Sequence, residues 1–260
     1  MEQSTKRMHR SRSLAATAVV SQTPPDSEPS IPDSNAQPDT NRQAAILAGN
    51  AVHAALEHWD FTAQPEKECA RRLAAAHHLI EGHTPDFAVA QPAKEKTRVL
   101  LETLIKGPLL KKLQTLAPHI LGRELDVLAP PQIYTEYKKR FASAQNQSPA
   151  ASPLSTAPPR PRPRPHPLPL PPAPLGYLSG TLDLLYTDPN TQNIVIADYK
   201  TDRISTPAEI RTRAHHYEPQ MQLYGLIVEN AFALPTPPRL ELWFLQAETI
   251  HVFAPLPKPA

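Results

Sequence analysis

The chain has 260 residues with 33 prolines and only seven glycines, so part of its length cannot enter a packed core, although 40% apolar residues suffice for one in the remainder. Its 27 Lys and Arg nearly balance 25 Asp and Glu, and the formal charge of +2 permits a nucleic-acid partner through a local basic groove without demanding one. The single cysteine, Cys69, excludes an intramolecular disulfide and a four-cysteine iron–sulfur cluster, and no apolar run approaches the roughly 20 residues of a membrane span.

Residues 1–40 are rich in Ser, Pro, Thr, Asp and Gln and too poor in large apolar side chains to fold, so they read as a disordered tail. Lys6, Arg7, Arg10 and Arg12 before SLAATAVV give a faint likeness to a secretory leader; a solvated basic tail on a cytoplasmic protein fits better. From Asn41 the pattern changes. Ile46, Leu47, Val52, Leu56 and Trp59 recur near helical spacing in an Ala-rich stretch suited to an amphipathic helix. Taken alone, His53 on that helix is by default a packed or capping histidine rather than a metal ligand. Further helices are predicted over 66–81 and 94–116, the second interrupted near Gly107 and Pro108.

HILGRELDVLA, 119–129, alternates like a strand, with Glu124 in its middle. A buried carboxylate there needs a partner or a metal, whereas an exposed one needs nothing. QIYTEYKKRF, 132–141, fits a strand or a helix, and its Lys138, Lys139 and Arg140 are either a phosphate-facing cluster or a solvated face. The proline-rich stretch over 149–174 is forced into extended polyproline geometry and cannot be a sheet strand. It reads as a semi-rigid surface insertion, with a PxxP ligand or a basic arm through Arg160, Arg162 and Arg164 as the functional alternative.

Residues 176–202, GYLSGTLDLLYTDPNTQNIVIADYKTD, form two strands about a polar turn. Period-two alternation turns Asp183 away from Leu182, Leu184 and Tyr186, and sets Asp198 and Lys200 on one face with Ile194 and Ile196. Two carboxylates and a lysine gathered this way suit a Mg²⁺ or Mn²⁺ ion, which prefers hard oxygen ligands, beside a cationic catalyst. They suit a surface ion pair as well, and spacing alone does not choose between the two. Pro207 then opens a helix with Tyr217, Gln220, Met221, Tyr224, Ile227, Val228 and Ala231 on one face, and RLELWFLQ and TIHVFAP close the chain as two strands.

In combination the motifs resemble one family. Gly180-Thr-Leu-Asp183, IVIADYKTD (194–202), Tyr217-x-x-Gln220-x-x-Leu-Tyr224 and the upstream GNAVHAALE (49–57) resemble, in order, the RecB/AddA-like branch of the PD-(D/E)XK nuclease superfamily. The resemblance implies an α/β fold with a restriction-endonuclease-like core, a central mixed β-sheet flanked by α-helices, over 41–255 and interrupted by the proline-rich insertion. It implies a Mg²⁺- or Mn²⁺-dependent deoxyribonuclease, an exonuclease of DNA recombination or repair. On it His53, Asp183 and Asp198 would be metal ligands together with the Tyr199 carbonyl, Lys200 the catalytic lysine and Glu124 an auxiliary catalytic carboxylate. Gln220 and Tyr224 would support the site or touch DNA. The chain lacks a GxxxxGK[ST] motif, so a helicase activity would have to come from a separate subunit. The rival expectation is a non-catalytic DNA-binding or scaffolding subunit on the same fold.

Overall fold

A computed structural model describes residues 14–15, 37–147, 176–204 and 206–258. Apart from 14–15 and 37–40, the expected N-terminal tail lies outside these residues, as does the proline-rich insertion at 149–174. After the dipeptide strand β1 (Leu14–Ala15) come four helices, α1 (Gln37–Glu57), α2 (Pro65–His83), α3 (Phe87–Lys106) and α4 (Pro108–Leu116). Strand β2 (Ile120–Ala129), α5 (Pro131–Gln147), the hairpin β3 (Leu178–Thr187) and β4 (Ile194–Lys200), α6 (Pro207–Ala231), β5 (Arg239–Phe244) and β6 (Thr249–Phe253) complete the order. Among the described residues no helix is long and apolar enough to cross a membrane.

The helix boundaries follow local chemistry. Asp86 accepts a hydrogen bond from Ala88 N at 2.9 Å and starts α3 at Phe87, seven residues before the expected Lys94; Pro92 inside it forfeits its own N–H bond. Gly107 and Pro108 break the helical run where expected, and Glu248 accepts from Leu109 N at 3.0 Å to satisfy an orphan donor at the start of α4. Segment 132–141, undecided from sequence, is part of α5. Thr206 and Glu209 make a capping box around Pro207, which fixes the entry of α6.

The sheet runs β2-β3-β4-β5-β6, parallel between β4 and β5 and antiparallel elsewhere, with β1 added parallel to the start of β3. One face carries α5 and α6 over Leu178, Leu182, Leu185, Ile196 and Leu242; the other carries α1, α3 and α4 over Leu184, Val195, Ala197, Tyr199 and Trp243. This is the expected central mixed sheet between helical layers, an α/β architecture. Each fully buried Leu, Ile or Phe in these layers contributes about 1.5–3 kcal/mol.

Three packing expectations change. In α1 the buried face is made mainly of alanines, Ala44, Ala48, Ala51 and Ala55 with Val52 and Leu56, while Ile46 is exposed; small residues let α1 lie close to its neighbours. The second half of α6 is buried on every side from Gln220 to Glu229, because the segment after β6 wraps it and Gln222 bonds Ala254 O and Leu256 N at 2.8 and 3.1 Å. Arg140, counted with Lys138 and Lys139 as a surface cluster, is buried and holds α5 to α6 through Glu229 at 3.0 Å.

Gly180 lies where β3 passes beneath the Tyr224 ring, and a Cβ there would stand 2.8 Å from Tyr224 Oη and 2.9 Å from Cε1. Gly180→Ala is expected to lower stability by about 1–3 kcal/mol, the usual cost of overpacking, because the buried ring has to move. Urea titration reads this, and an unchanged midpoint would show that Tyr224 yields freely.

Candidate metal centre

The hairpin ladder runs from Thr187↔Ile194 to Leu184↔Ala197, and there β3 and β4 part. Beyond that point the Tyr199 N–H is met by a side chain: Asp183 Oδ2 accepts from it at 2.5 Å. The carboxylate thus closes the opening with a backbone bond and is held rigidly in it.

On the opposite edge of β3, the pairing reads Arg123↔Leu184 and then Leu125↔Leu182, with Glu124 between them at φ 47°. A left-handed backbone is uncommon for a non-glycine residue and stores about 1–3 kcal/mol. Both strands change faces at this level. Leu182 packs in one core and Leu184 in the other; Leu125 packs beneath α5 and α6 while Arg123 donates to Leu56 O and Trp59 O near the end of α1. The expected alternation that set Asp183 opposite both leucines is therefore corrected: the period-two pattern breaks at Asp183 itself.

The break aims Glu124 and Asp183 at the same histidine. His53 Nδ1 lies 3.2 Å from Glu124 Oε1 and 3.2 Å from Asp183 Oδ1. One donor atom from each of His53, Glu124 and Asp183 falls within 4.8 Å of the others. Gly49, one turn before His53, admits α1 to this position: a Cβ there would already lie 3.3 Å from Thr201 Oγ1.

Asp198 stands beside this cluster and faces Lys200, whose Nζ is 2.6 Å from Asp198 Oδ2. Lys200 Nζ also donates to Gln220 Oε1 at 3.4 Å, and Gln220 Nε2 donates to Tyr224 Oη at 3.2 Å. Tyr199 contributes its amide to Asp183 and packs its ring edge-on against His53 and Trp243 at centroid distances of 6.0 and 5.9 Å. Every sequence-predicted site residue therefore sits in or against one opening. The grouping differs in detail, since Glu124, expected as auxiliary, meets His53 beside Asp183 while Asp198 is engaged with lysine. Two further residues with no role assigned from sequence complete this side: Tyr217 adjoins Lys200 and Asp202 meets the Tyr217 hydroxyl; both lie inside the quoted motifs, which is the available signal.

The electrostatics follow from burial of like charges. Asp183 is pushed up to about 6 by burial and by the Asp198 charge, against the opposing pull of His53 and the Tyr199 amide. Burial works against the imidazolium of His53, yet its bonds to Asp183 and Glu124 and the nearby Asp198 lift it to about 10. Burial likewise opposes the Lys200 charge, and Asp198 outweighs it and holds the ammonium protonated above the ordinary lysine range. An imidazole nitrogen and two carboxylate oxygens converging around an excess of negative charge fit a divalent cation.

The family model described as the PD-(D/E)XK nuclease superfamily matches residues 31–258. No curated protein sequence matches the chain at a significant level.

Both shifts mean that the folded, metal-free protein binds protons more tightly than the unfolded chain. His53 contributes stability that is complete below about 6.5 and fades as pH rises toward 10; Asp183 adds a loss as it ionises near 6. In EDTA, Tm is therefore expected to fall between pH 6 and 10, and His53→Gln to flatten the slope above pH 6.5. A Tm that rises over that range in wild type would refute the assignment.

Proposed function

Because the chain belongs to the PD-(D/E)XK nuclease superfamily, we propose that it is a divalent-metal-dependent deoxyribonuclease of the RecB/AddA-like kind, an exonuclease acting in DNA recombination or repair alongside a separate helicase subunit. The observation that carries the reading is the convergence of His53, Glu124 and Asp183 beside the Asp198–Lys200 pair. A surface ion pair requires no such convergence, and two buried carboxylates beside a half-buried third are costly to keep without positive charge.

His53, Glu124 and Asp183 would hold Mg²⁺ or Mn²⁺, with Asp198 and the Tyr199 carbonyl completing the set. When bound, the cation supplies Lewis-acid polarisation of a phosphate oxygen and a more acidic water. The protein's own groups do the remaining work. Lys200 carries a permanent positive charge at the rim of the opening, where it stabilises charge developing on the scissile phosphate or orients the attacking water. Gln220 and Tyr224 form a chain of hydrogen bonds from α6 to that ammonium and fix its direction. Asp183, bonded to the strand through Tyr199 N, cannot swing out of place.

Purified protein is expected to degrade end-labelled linear DNA with Mg²⁺ or Mn²⁺ and not in EDTA, and to spare closed circles. Lys200→Ala should reduce the rate by ~10²-fold or more while the circular dichroism spectrum shows the fold retained, as loss of a preorganised charge does. Asp183→Asn should abolish metal-dependent stabilisation together with cleavage. Binding of DNA without cleavage under any divalent ion would instead identify a non-catalytic DNA-binding module.

A further inference from the structure

The ammonium of Lys200 has a third neighbour besides Asp198 and Gln220. It lies 4.2 Å from the ring centroid of Tyr217, over the face of the ring. Tyr217 is itself anchored, since its hydroxyl donates to Asp202 Oδ2 at 3.1 Å. Arg213, one turn earlier on α6, approaches Asp202 from the same helix, with Nε 3.7 Å from Oδ1. Asp202 follows Lys200 by two residues. The segment that carries the lysine therefore also carries the acceptor that fixes a ring above it.

We infer that Tyr217 is a positioning residue for Lys200, with Asp202 as its anchor. A lysine side chain has four rotatable carbons and a rotating ammonium, so a carboxylate alone gives it a charge partner without a direction. The ring face attracts the cation through its quadrupole and requires no N–H to point at an acceptor. It holds the ammonium in place while leaving its protons available for an oxygen of the substrate. Gln220 and Tyr217, three residues apart on α6, meet the lysine from one side, and Asp198 meets it from the strand. The anchor is economical, because Asp202 lies close enough in sequence to Lys200 that both move with the end of β4.

The inference rests on the nuclease reading for its rate effects and stands apart from it in its structural readout. In the full-length protein, Tyr217→Leu is expected to lower kcat on linear DNA by about tenfold with little change in KM, because orientation rather than binding is lost. Tyr217→Phe, which retains the ring, should recover most of that rate. Asp202→Ala should match Tyr217→Phe, and the double variant should be no worse than either, since both delete one hydrogen bond. In metal-free protein, the Lys200 ε-methylene protons, identified by their loss in Lys200→Arg, should be shifted upfield by the ring in wild type and Tyr217→Phe, and not in Tyr217→Leu. Wild-type kcat in Tyr217→Leu alongside an inactive Lys200→Ala would overturn the inference, as would unshifted Lys200 protons in wild type. If the wild-type protein cleaves nothing, the nuclease reading fails, and the proton shift alone still decides for or against the clamp.

Discussion

The bond from Tyr199 N to Asp183 is the constraint on which the site depends. Where β3 and β4 part, a strand amide would otherwise face an opening with no acceptor, and the carboxylate that fills the role is fixed in a buried position close to Asp198 and Glu124. Three acidic groups in one partly dehydrated opening repel one another and lose solvation, so the opening has a strong affinity for positive charge of any kind. In the protein alone that charge is supplied by His53 and Lys200. The lift of His53 to about 10 against the effect of burial, through its bonds to Asp183 and Glu124 and the nearby Asp198, follows from the same excess of negative charge. A divalent ion held there would meet the same demand with greater charge, and a proton on His53 would compete with it for the imidazole nitrogen.

The helical layer and the strained edge strand deliver His53 and Glu124 to that opening. His53 reaches it because α1 presents alanines to its neighbours and Gly49 to Thr201, so the helix backbone sits closer than larger side chains would allow. Glu124 reaches it by a left-handed residue in the middle of a strand, a conformation that the pairings on either side hold in place. Such a conformation costs stability, and it turns the carboxylate of Glu124 to His53.

Much of this was legible in the sequence. The hairpin, the helix after it, the closing strands and the break at Gly107 and Pro108 are written in periodicity and in turn chemistry, which are local. The pairing of Asp198 with Lys200 on one face followed from the period of two. What could not be read were the places where local rules fail. Asp183 and Glu124 sit where both strands switch faces, and no pattern of neighbours encodes a positive φ at a glutamate. Arg140 looked like part of a surface cluster because its partner Glu229 is far along the chain, and a buried ion pair leaves no periodic trace. The exposed Ile46 and the all-round burial of α6 were missed for a similar reason: which apolar residues are covered depends on segments that arrive later. The motif resemblance supplied the long-range assembly of His53 and Glu124 with the hairpin that composition and spacing could not.

The two faces of the sheet divide the work. The face that packs Trp243 and Tyr199 brings α1 and with it His53, which meets the carboxylates. The opposite face brings α6, whose Gln220 and Tyr217 meet Lys200. Asp183 and Asp198 stand between the two sets, Asp183 turned to the histidine and Asp198 to the lysine. Charge in the opening is thus balanced from two helical layers on opposite faces of the same sheet. Because Asp183 and Asp198 both sit on the hairpin, its rigidity sets the distance between the carboxylates that face His53 and the ammonium of Lys200. A single backbone-to-carboxylate bond at Tyr199 and Asp183 therefore governs a geometry to which five elements, α1, β2, β3, β4 and α6, contribute.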